Sequence, residues 1–291
     1  LRSFVIVGLP DKAVEESRER VSLAIRNLKL PAIIQKARKI LVNLAPADLK
    51  KEGSLYDLPI AVGILKCLWF QKPSFDTDKT IFIGELSLEG KVRPIKGALA
   101  IASSVRNAGF KTLILPKDNA LEAGLIEDLK VIGVSWLKET LEYLSGKRRI
   151  NVTRTSYDDK MIKPPLPAVD FSQIGGQYFA KRALQIAAAG GHNLLMLGPP
   201  GAGKTLLAQA LPSILPSLNL QEALEVTKIH SIAGLLPPDV PLLTLRPFRN
   251  PHHTASETAL IGGGNPPRPG EITLAHRGVL FLDELPEFHR D

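Results

Sequence analysis

The sequence predicts an α/β protein of two consecutive domains, 1–146 and 170–291, joined by a linker over 147–169. Short aliphatic runs alternate with amphipathic segments along the chain, as expected for strands and helices in turn. The linker is rich in lysine, arginine and proline, and proline favours an extended connector. With 291 residues, each domain has enough chain for an ordinary hydrophobic core.

The strands and helices of the first domain are predicted from apolar spacing and capping residues. Asp11 precedes a segment with apolar residues at every third or fourth position, so it should cap a helix over Lys12–Ile25. Pro59 falls in the first turn of a second helix, where a missing N–H is tolerated. The expected strands are Ser3–Val7, Ile40–Leu44, Thr80–Gly84 and Thr112–Leu115, and the further helices are Asp57–Lys66 and Gly97–Ala108.

The second domain contains a complete phosphate-binding loop at 198–205. An apolar run at 193–197 precedes it and is expected to be a buried strand, and a helix is expected at 206–211. Glycines let backbone N–H groups surround the phosphates, while a lysine reaches the β- and γ-phosphates and a hydroxyl ligates Mg²⁺. The predicted nucleotide contacts are Gly198, Pro199, Pro200, Gly201, Ala202, Gly203, Lys204 and Thr205.

A second nucleotide motif follows at the end of the apolar run 278–282, which continues into Asp283 and Glu284. Asp283 is predicted to hold Mg²⁺ through water, and Glu284 to polarise the water that attacks the γ-phosphate. The two motifs occur in the expected order, with Asp283 placed 79 residues after Lys204. They predict a domain that binds ATP with Mg²⁺ and hydrolyses it, with Lys204, Asp283 and Glu284 as its catalytic residues.

Charge and cysteine content restrict the class of protein. The net charge of +8 is uneven: 22 basic against 17 acidic residues in 1–146, 6 against 2 in 147–169, and 9 against 10 in 170–291. This excess favours a polyanion partner, although a solvated basic face would give the same count. No apolar run is long enough to span a bilayer, and Cys67, the single cysteine, is expected to be a buried thiol. These features suit a cytoplasmic protein.

The interval between the two nucleotide motifs holds the basic cluster of the second domain, which includes the histidine pair His252 and His253. Adjacent histidines could bind a metal, but their side chains usually point in different directions and no third ligand is obvious. The cluster favours contact with nucleic acid instead. The predicted nucleic-acid contacts are Arg246, Arg249 and Arg268 in this interval, with Lys147, Arg148 and Arg149 in the linker.

The same interval predicts a projecting hairpin. Residues 258–261 are expected to form an apolar strand edge, and the glycines and prolines of 262–267 a flexible tip. Such a hairpin would suit a loop that points toward a central pore.

Segments 84–95 and 109–119 of the first domain resemble the proteolytic domain of the Lon protease family, a fold shared with the second domain of ribosomal protein S5. Lon-type peptidases use a serine–lysine dyad, but the matching positions here hold Leu55 and Leu99, which can neither attack a carbonyl nor accept a proton. The resemblance therefore implies a Lon-like fold that is inactive as a peptidase. A dyad of the neighbouring Ser54 and Lys96 is the alternative.

The second domain resembles the AAA+ ATPases, in which the segment matching 170–186 places Ile174 and Gly175 beside the adenine. The whole chain is similar to the magnesium chelatase-related ComM/YifB family. The segments that carry this similarity are GPPGAGKT, RPFRNPHHTAS, RPGEI and LAHRGVLFLDELPEF, after the Lon-like domain and the basic linker.

The ComM/YifB resemblance implies an AAA+ ATPase with a helix-2 insert that works as a hexameric ring. It also implies an ATP-driven helicase that migrates DNA branches during competence for DNA uptake. The alternatives are the ATPase subunit of a magnesium chelatase, which resembles only the second half, and an ATP-dependent protease.

The chain begins with Leu1 rather than Met and stops eight residues after Asp283. We therefore expect a fragment cut at both ends, with an incomplete AAA+ domain that lacks the sensor residues, arginine finger and helical lid. An arginine finger raises the rate about 10³–10⁵-fold in related nucleotide hydrolases. Residues 1–291 alone are accordingly expected to hydrolyse ATP negligibly.

Overall fold

The computed structural model of the chain describes residues 4–8, 11–29, 39–46, 48–49, 51, 53–68, 77–156, 169–237, 239–265 and 267–288. The chain divides into two compact units, Leu1–Ser156 and Tyr157–Asp291.

The start of the predicted linker belongs to the first unit. The Thr153 N–H donates to the Val131 carbonyl at 2.8 Å, and the Thr155 N–H donates to the Gly124 carbonyl at 3.0 Å. The unit boundary thus lies after residue 156 rather than after 146, because 147–156 is bonded to the unit before it. The proline-containing part of the linker, 157–168, lies outside the described residues.

The first unit is mixed α/β, and its predicted strands and helices are present within two residues of their expected bounds. Its strands are β1 (Phe4–Val7), β2 (Ile40–Asn43), β3 (Thr80–Phe82), β4 (Glu85–Leu86), β5 (Val92–Arg93), β6 (Thr112–Pro116) and β7 (Lys130–Val134). Its helices are α1 (Lys12–Asn27), α2 (Asp57–Leu68), α3 (Ala98–Asn107), α4 (Ala120–Ala123) and α5 (Leu137–Leu144). Strands β1 and β2 pair in parallel, β3, β6 and β7 form a parallel sheet in that order, and β4 and β5 pair antiparallel.

Strand β6 is the central strand of the three-stranded sheet and is buried from Leu113 to Pro116. A parallel strand covered on both faces has a continuous apolar sequence, which is what this run of the chain shows. Helix α1 begins where predicted, because the Asp11 side chain accepts from the Val14 N–H at 2.7 Å. Local sequence signals therefore determine these two elements.

Cys67 is exposed, so the prediction of a buried thiol is wrong. Helix α2 buries one stripe that includes Ile60, Ile64 and Leu65, whereas Gly63, Lys66 and Cys67 form the exposed stripe. Residues three or four apart share one side of a helix, and Cys67 falls on the same side as Gly63. The apolar residues next to Cys67 in the sequence therefore did not indicate whether the cysteine is buried.

The second unit is also mixed α/β. Its helices are α6 (Tyr178–Gly190), α7 (Lys204–Ala210), α8 (Leu220–Ala233), α9 (Glu257–Ile261) and α10 (Glu271–Leu274). Its strands are β8 (Phe248–Arg249), β9 (Gly262–Gly263), β10 (Arg268–Pro269) and β11 (Val279–Leu280). Strand β11 pairs in parallel with β8, and β9 pairs antiparallel with β10. No helix in the described part of the chain is long and apolar enough to cross a membrane.

Two predicted elements of the second unit differ in the structure. Residues 193–197 were expected to form a buried strand, but they form no strand, and Leu195 and Leu197 are 71% and 88% exposed. A strand needs a neighbour that completes its backbone hydrogen bonds, and no described strand pairs with this run.

Residues 258–261, expected as a strand edge, lie in helix α9. The Ser256 hydroxyl accepts from the Ala259 N–H at 3.2 Å and caps that helix, so capping chemistry decides the local structure. The predicted hairpin itself is present, but it is formed by β9 and β10.

Candidate nucleotide-binding site

The phosphate-binding loop runs into helix α7, which begins at Lys204. Gly201 and Gly203 have φ angles of 77° and 81°, a left-handed conformation that glycine adopts without strain. The Lys204 ammonium donates to the carbonyls of Gly198 and Pro199 at 2.9 and 3.0 Å, so its charge lies over the loop. Lys204 therefore lies against the loop that the sequence predicts to bind phosphates.

The two nucleotide motifs meet in space. The Thr205 hydroxyl donates to the Asp283 carboxylate at 3.0 Å, across 78 positions of sequence. Asp283 follows strand β11, and Thr205 lies in the first turn of α7. The structure therefore brings together the two residues that were predicted to hold Mg²⁺.

The donor atoms of this pair fit Mg²⁺. Mg²⁺ prefers oxygen ligands and is usually bound in proteins through one or two carboxylates together with substrate phosphates. A hydroxyl oxygen and a carboxylate oxygen converge here beside the loop. Among the residues that the structure describes, no group of three or more His, Cys, Asp or Glu side chains could hold a metal by itself.

Glu284 has a partner that the sequence did not predict. Its carboxylate lies 3.3 Å from the Nδ1 atom of His253, while 65% of the Glu284 side chain is exposed. Its backbone N–H donates to the Asp283 carboxylate at 3.1 Å, and its φ angle of 53° is left-handed. The predicted water-polarising residue thus lies beside the second histidine of the pair.

The predicted adenine-contacting residues have different environments. Ile174 is buried and packs in a small core with Phe171 and Leu184, whereas Gly175 is exposed. Gln177, which was not predicted, donates from its side-chain amide to the Ala202 carbonyl at 3.2 Å. This bond ties the segment before α6 to the phosphate-binding loop. A glutamine shortly before a helix is too common in sequences to have signalled it.

Two of the arginines predicted to contact nucleic acid are engaged within the second unit. Arg246 donates to the carbonyls of Pro216 and Arg277 at 2.6 and 2.7 Å. Arg249 forms two hydrogen bonds with the Glu271 carboxylate, at 2.5 and 2.7 Å, and these raise its pKa. Arg268, in contrast, is exposed on β10.

The three predicted linker contacts are exposed, and one of them forms ion pairs that the structure defines. The Arg148 guanidinium lies 3.0 Å from the Glu139 carboxylate and 3.8 Å from that of Glu142, so two negative charges surround it. Lys147 and Arg149 are exposed. Of the six predicted nucleic-acid contacts, the three linker cations and Arg268 are exposed.

Comparison with known proteins decides the family. Residues 170–291 match the family described as "Magnesium chelatase, subunit ChlI", and residues 1–119 match "Subunit ChlI of Mg-chelatase". The chain is 44% identical over 296 residues to YifB of Escherichia coli (strain K12), and 42% identical over 292 residues to Competence protein ComM of Haemophilus influenzae. The chain belongs to the magnesium chelatase-related ComM/YifB family.

The matches to the ComM/YifB relatives extend over 100% and 99% of this chain, which spans 55% of the length of each of the two relatives. Membership in the ComM/YifB family supports an AAA+ ATPase of the ComM type, and the described parallel strands agree with a P-loop-like domain.

A shorter similarity links this ComM/YifB member to an archaeal Lon protease of Halobacterium salinarum, 29% identical over 119 residues, 38% of this chain and 16% of that protein. At the dyad positions, Leu99 is fully buried and Leu55 is half-buried. The Ser54 hydroxyl donates to the Glu85 carboxylate, and Lys96 is exposed. The inactivity of this unit as a peptidase stays a prediction.

Proposed function

We propose that the second unit binds ATP with Mg²⁺ and hydrolyses it. The contact between Thr205 and Asp283 carries this proposal, because it joins two motifs that are distant in sequence into one oxygen-lined site. When bound there, Mg²⁺ would neutralise phosphate charge. Thr205 and Asp283 would hold the ion, and Lys204 would exchange its two carbonyl partners for β- and γ-phosphate oxygens.

Glu284 follows the metal ligand Asp283 and would polarise the attacking water. Its carboxylate projects beyond the strand end and is largely exposed, so a water molecule can reach it. A carboxylate in hydrogen-bond reach of the attacking water acts as a general base. Ile174 and Gly175 would lie beside the adenine, and Gln177 would fix their segment to the loop.

Nucleotide binding and hydrolysis can be separated by two substitutions. Lys204→Ala should abolish both, because it removes the charge that neutralises the phosphates. Glu284→Gln should preserve Mg–ATP binding and slow hydrolysis, because an amide cannot accept the proton. Calorimetry with Mg–ATP measures binding, and phosphate release from the full-length protein measures turnover. Undiminished hydrolysis by Lys204→Ala would refute the assignment.

We further propose that the hydrolysis drives a DNA motor that acts as a hexameric ring in a branch-migration role. A relative that carries the name Competence protein ComM supports this role, and so does the exposed Arg268 on a glycine-rich hairpin. Lys147 and Arg149 would add affinity for phosphates without sequence preference. The alternatives are metal insertion by a magnesium chelatase subunit and ATP-dependent proteolysis.

DNA binding can be tested with a matched pair of arginine variants. Arg268→Ala should weaken binding and reduce the slope of log affinity against log salt by about one. Arg277→Ala is the control, because its guanidinium already faces Glu222 and Glu225 at 3.4 and 3.1 Å in the same unit. Equal losses in both variants would argue against the hairpin as the contact.

Stimulation of ATP hydrolysis by branched DNA would favour the motor over both alternatives. Stimulation by a metal–porphyrin pair, with none by DNA, would favour the chelatase role. ATP-dependent cleavage of casein would favour the protease.

A further inference from the structure

Lysines stand at the amino ends of three neighbouring strands in the first unit. In the parallel sheet, Thr80 of β3 lies opposite Thr112 of β6, which lies opposite Lys130 of β7. The Lys111 N–H donates to the Lys79 carbonyl at 3.0 Å, and the Lys130 N–H donates to the Lys111 carbonyl at 2.9 Å. The three lysines therefore follow one another along one edge of the sheet.

The start of the linker adds a fourth basic residue to this edge. Thr153 forms an antiparallel bridge with Val131 of β7, and its N–H donates to the Val131 carbonyl at 2.8 Å. In an antiparallel register the next residue, Arg154, lies opposite Lys130. Four adjacent backbone segments thus carry what we call the basic row, whose members are all exposed: Lys79, Lys111, Lys130 and Arg154.

The edge that carries the basic row has an excess of positive charge. In the described part of the chain, no carboxylate forms an ion pair with Lys111, Lys130 or Arg154. The described acidic residues within three positions of the row are Asp78, Glu127 and Asp128. Of these, Asp128 lies 3.6 Å from the guanidinium of Arg106, in the last turn of α3. With Arg106 counted, five cations stand against three carboxylates at this edge.

The spacing of the basic row fits a phosphate backbone. Adjacent strands lie about 4.8 Å apart, so a row across four segments is about 14 Å long. Each strand of duplex DNA carries one phosphate per about 3.4 Å of helix axis, so this length corresponds to about four phosphates.

The side chains at this edge suit contact with phosphates rather than with bases. A lysine ammonium is a compact charge on a flexible stem, which can reach a phosphate without a fixed geometry. Phe110, the aromatic residue beside Lys111, packs against the core of the sheet. Its ring is therefore not presented to a base for stacking, which is how proteins usually hold single strands.

We propose that the basic row is a further DNA-binding surface of this protein and holds the phosphate backbone without sequence preference. This proposal rests on the proposed action on DNA. Small ligands of α/β sheets bind in clefts at the carboxyl ends of the strands, whereas the row lies at the amino ends. An extended polyanion needs no cleft, because charges along its length hold it. The first unit, which contains neither nucleotide motif, would then contribute to the affinity for DNA.

Two matched variants of the full-length protein test this surface. The row variant combines Lys79→Ala, Lys111→Ala, Lys130→Ala and Arg154→Ala. The control variant removes four exposed cations elsewhere in the first unit and combines Lys12→Ala, Lys91→Ala, Lys117→Ala and Lys138→Ala. Fluorescence anisotropy with labelled duplexes of unrelated sequence, over a range of salt concentrations, measures the affinity of each variant.

The two variants should differ in their salt dependence. Each neutralised phosphate contributes about 0.9 to the slope of log affinity against log salt, so the row variant should lose about 3–4 from this slope. The loss should be the same for each duplex sequence, because the contact is to phosphates. The control variant should lose about 1 or less, because its cations lie away from the row.

A measurement on the unsubstituted protein tests the contact residue by residue and does not depend on the folding of a variant. Lysines are acetylated with and without duplex DNA, and the modified peptides are quantified by mass spectrometry. DNA should slow acetylation about threefold or more at Lys111 and Lys130, because bound phosphates cover their ammonium groups. Acetylation of Lys91 and Lys117 should proceed at the same rate with and without DNA.

The proposal is overturned if the row variant keeps the slope of the unsubstituted protein or if the control variant loses as much. It is also overturned if DNA leaves the acetylation of Lys111 and Lys130 unchanged. A row variant that keeps its DNA affinity but changes its sedimentation would identify the row as a contact with another protein chain, against the proposal. Failure of the proposed action on DNA gives a different result, because the unsubstituted protein itself would then bind no duplex.

Discussion

The ion pair between Arg249 and Glu271 should stabilise the second unit. Its two hydrogen bonds, at 2.5 and 2.7 Å, join strand β8 to helix α10, and the two side chains are only 31% and 22% exposed. Arg249 also lies opposite Leu280 on β11, the strand that leads to Asp283. Arg249→Ala should therefore destabilise the unit that carries the site.

The expected size of this effect follows from the geometry. Two-bond arginine–carboxylate pairs are stronger than single neutral hydrogen bonds, and bonds to charged groups contribute about 1.5–3 kcal/mol. Partial exposure favours the lower part of this range, about 2 kcal/mol. For a unit of this size that loss lowers the melting temperature by about 6–10 °C. Differential scanning calorimetry of Arg249→Ala measures it directly.

A double-mutant cycle isolates the pair from other effects of the substitution. Arg249→Ala, Glu271→Ala and the double variant should show a coupling energy of about 1–2 kcal/mol. Arg268→Ala is the control, because its exposed side chain should leave the melting temperature within about 1 °C. If Arg249→Ala keeps the melting temperature and loses only DNA affinity, the arginine is a nucleic-acid contact and the structural argument is wrong.

Three further predictions concern other parts of the chain. Asp57→Ala should destabilise the first unit by about 3–5 kcal/mol in chemical unfolding, because it leaves Arg20 without its fully buried partner and Leu86 N–H without its acceptor. Burial lowers the pKa of His230, so the unfolded chain binds the proton more readily than the folded one. The free energy of unfolding of the second unit should therefore decrease as the pH falls below about 6.5. Melting curves measured at several pH values should show this decrease in the unsubstituted protein and not in His230→Gln. Ser54 should resist serine-reactive probes, since the dyad positions hold Leu55 and Leu99, and labelling that Ser54→Ala abolishes would contradict this expectation.

Four strands and three helices of the first unit could be predicted because each has its own local signal, whereas β4, β5, β7, α4 and α5 were not predicted. Asp11 and the spacing of apolar residues define α1, and the capping bond forms as expected. The continuous apolar run of β6 predicts a strand covered on both faces, which is its environment in the sheet. Neither prediction needed contacts that are distant in sequence, because the capping bond of α1 and the apolar run of β6 each involve only a few consecutive residues.

The segment 193–197 could not be predicted by the same means. Its apolar residues favour burial, but whether they are buried depends on other parts of the chain that pack against them, and a local sequence pattern does not show those parts. Leu195 and Leu197 are exposed because no described strand lies beside them. Cys67 could not be predicted for a similar reason. The residues around it in helix α2 are apolar, but its position lies on the exposed stripe of that helix.

Which basic residues of the second unit are available to a ligand depends on their partners in the folded unit, and charge alone does not reveal those partners. Glu271 lies 22 residues from Arg249, so sequence alone gave no sign of that pair, and the arginine was predicted as a nucleic-acid contact. The contact of His253 with Glu284 differs, because it could be predicted once β8 and β11 are known to pair. Both residues extend their strands by four positions from an aligned pair, Arg249 and Leu280. Once the register of two strands is known, residues that are distant in sequence can be placed side by side, and here it places His253 beside Glu284.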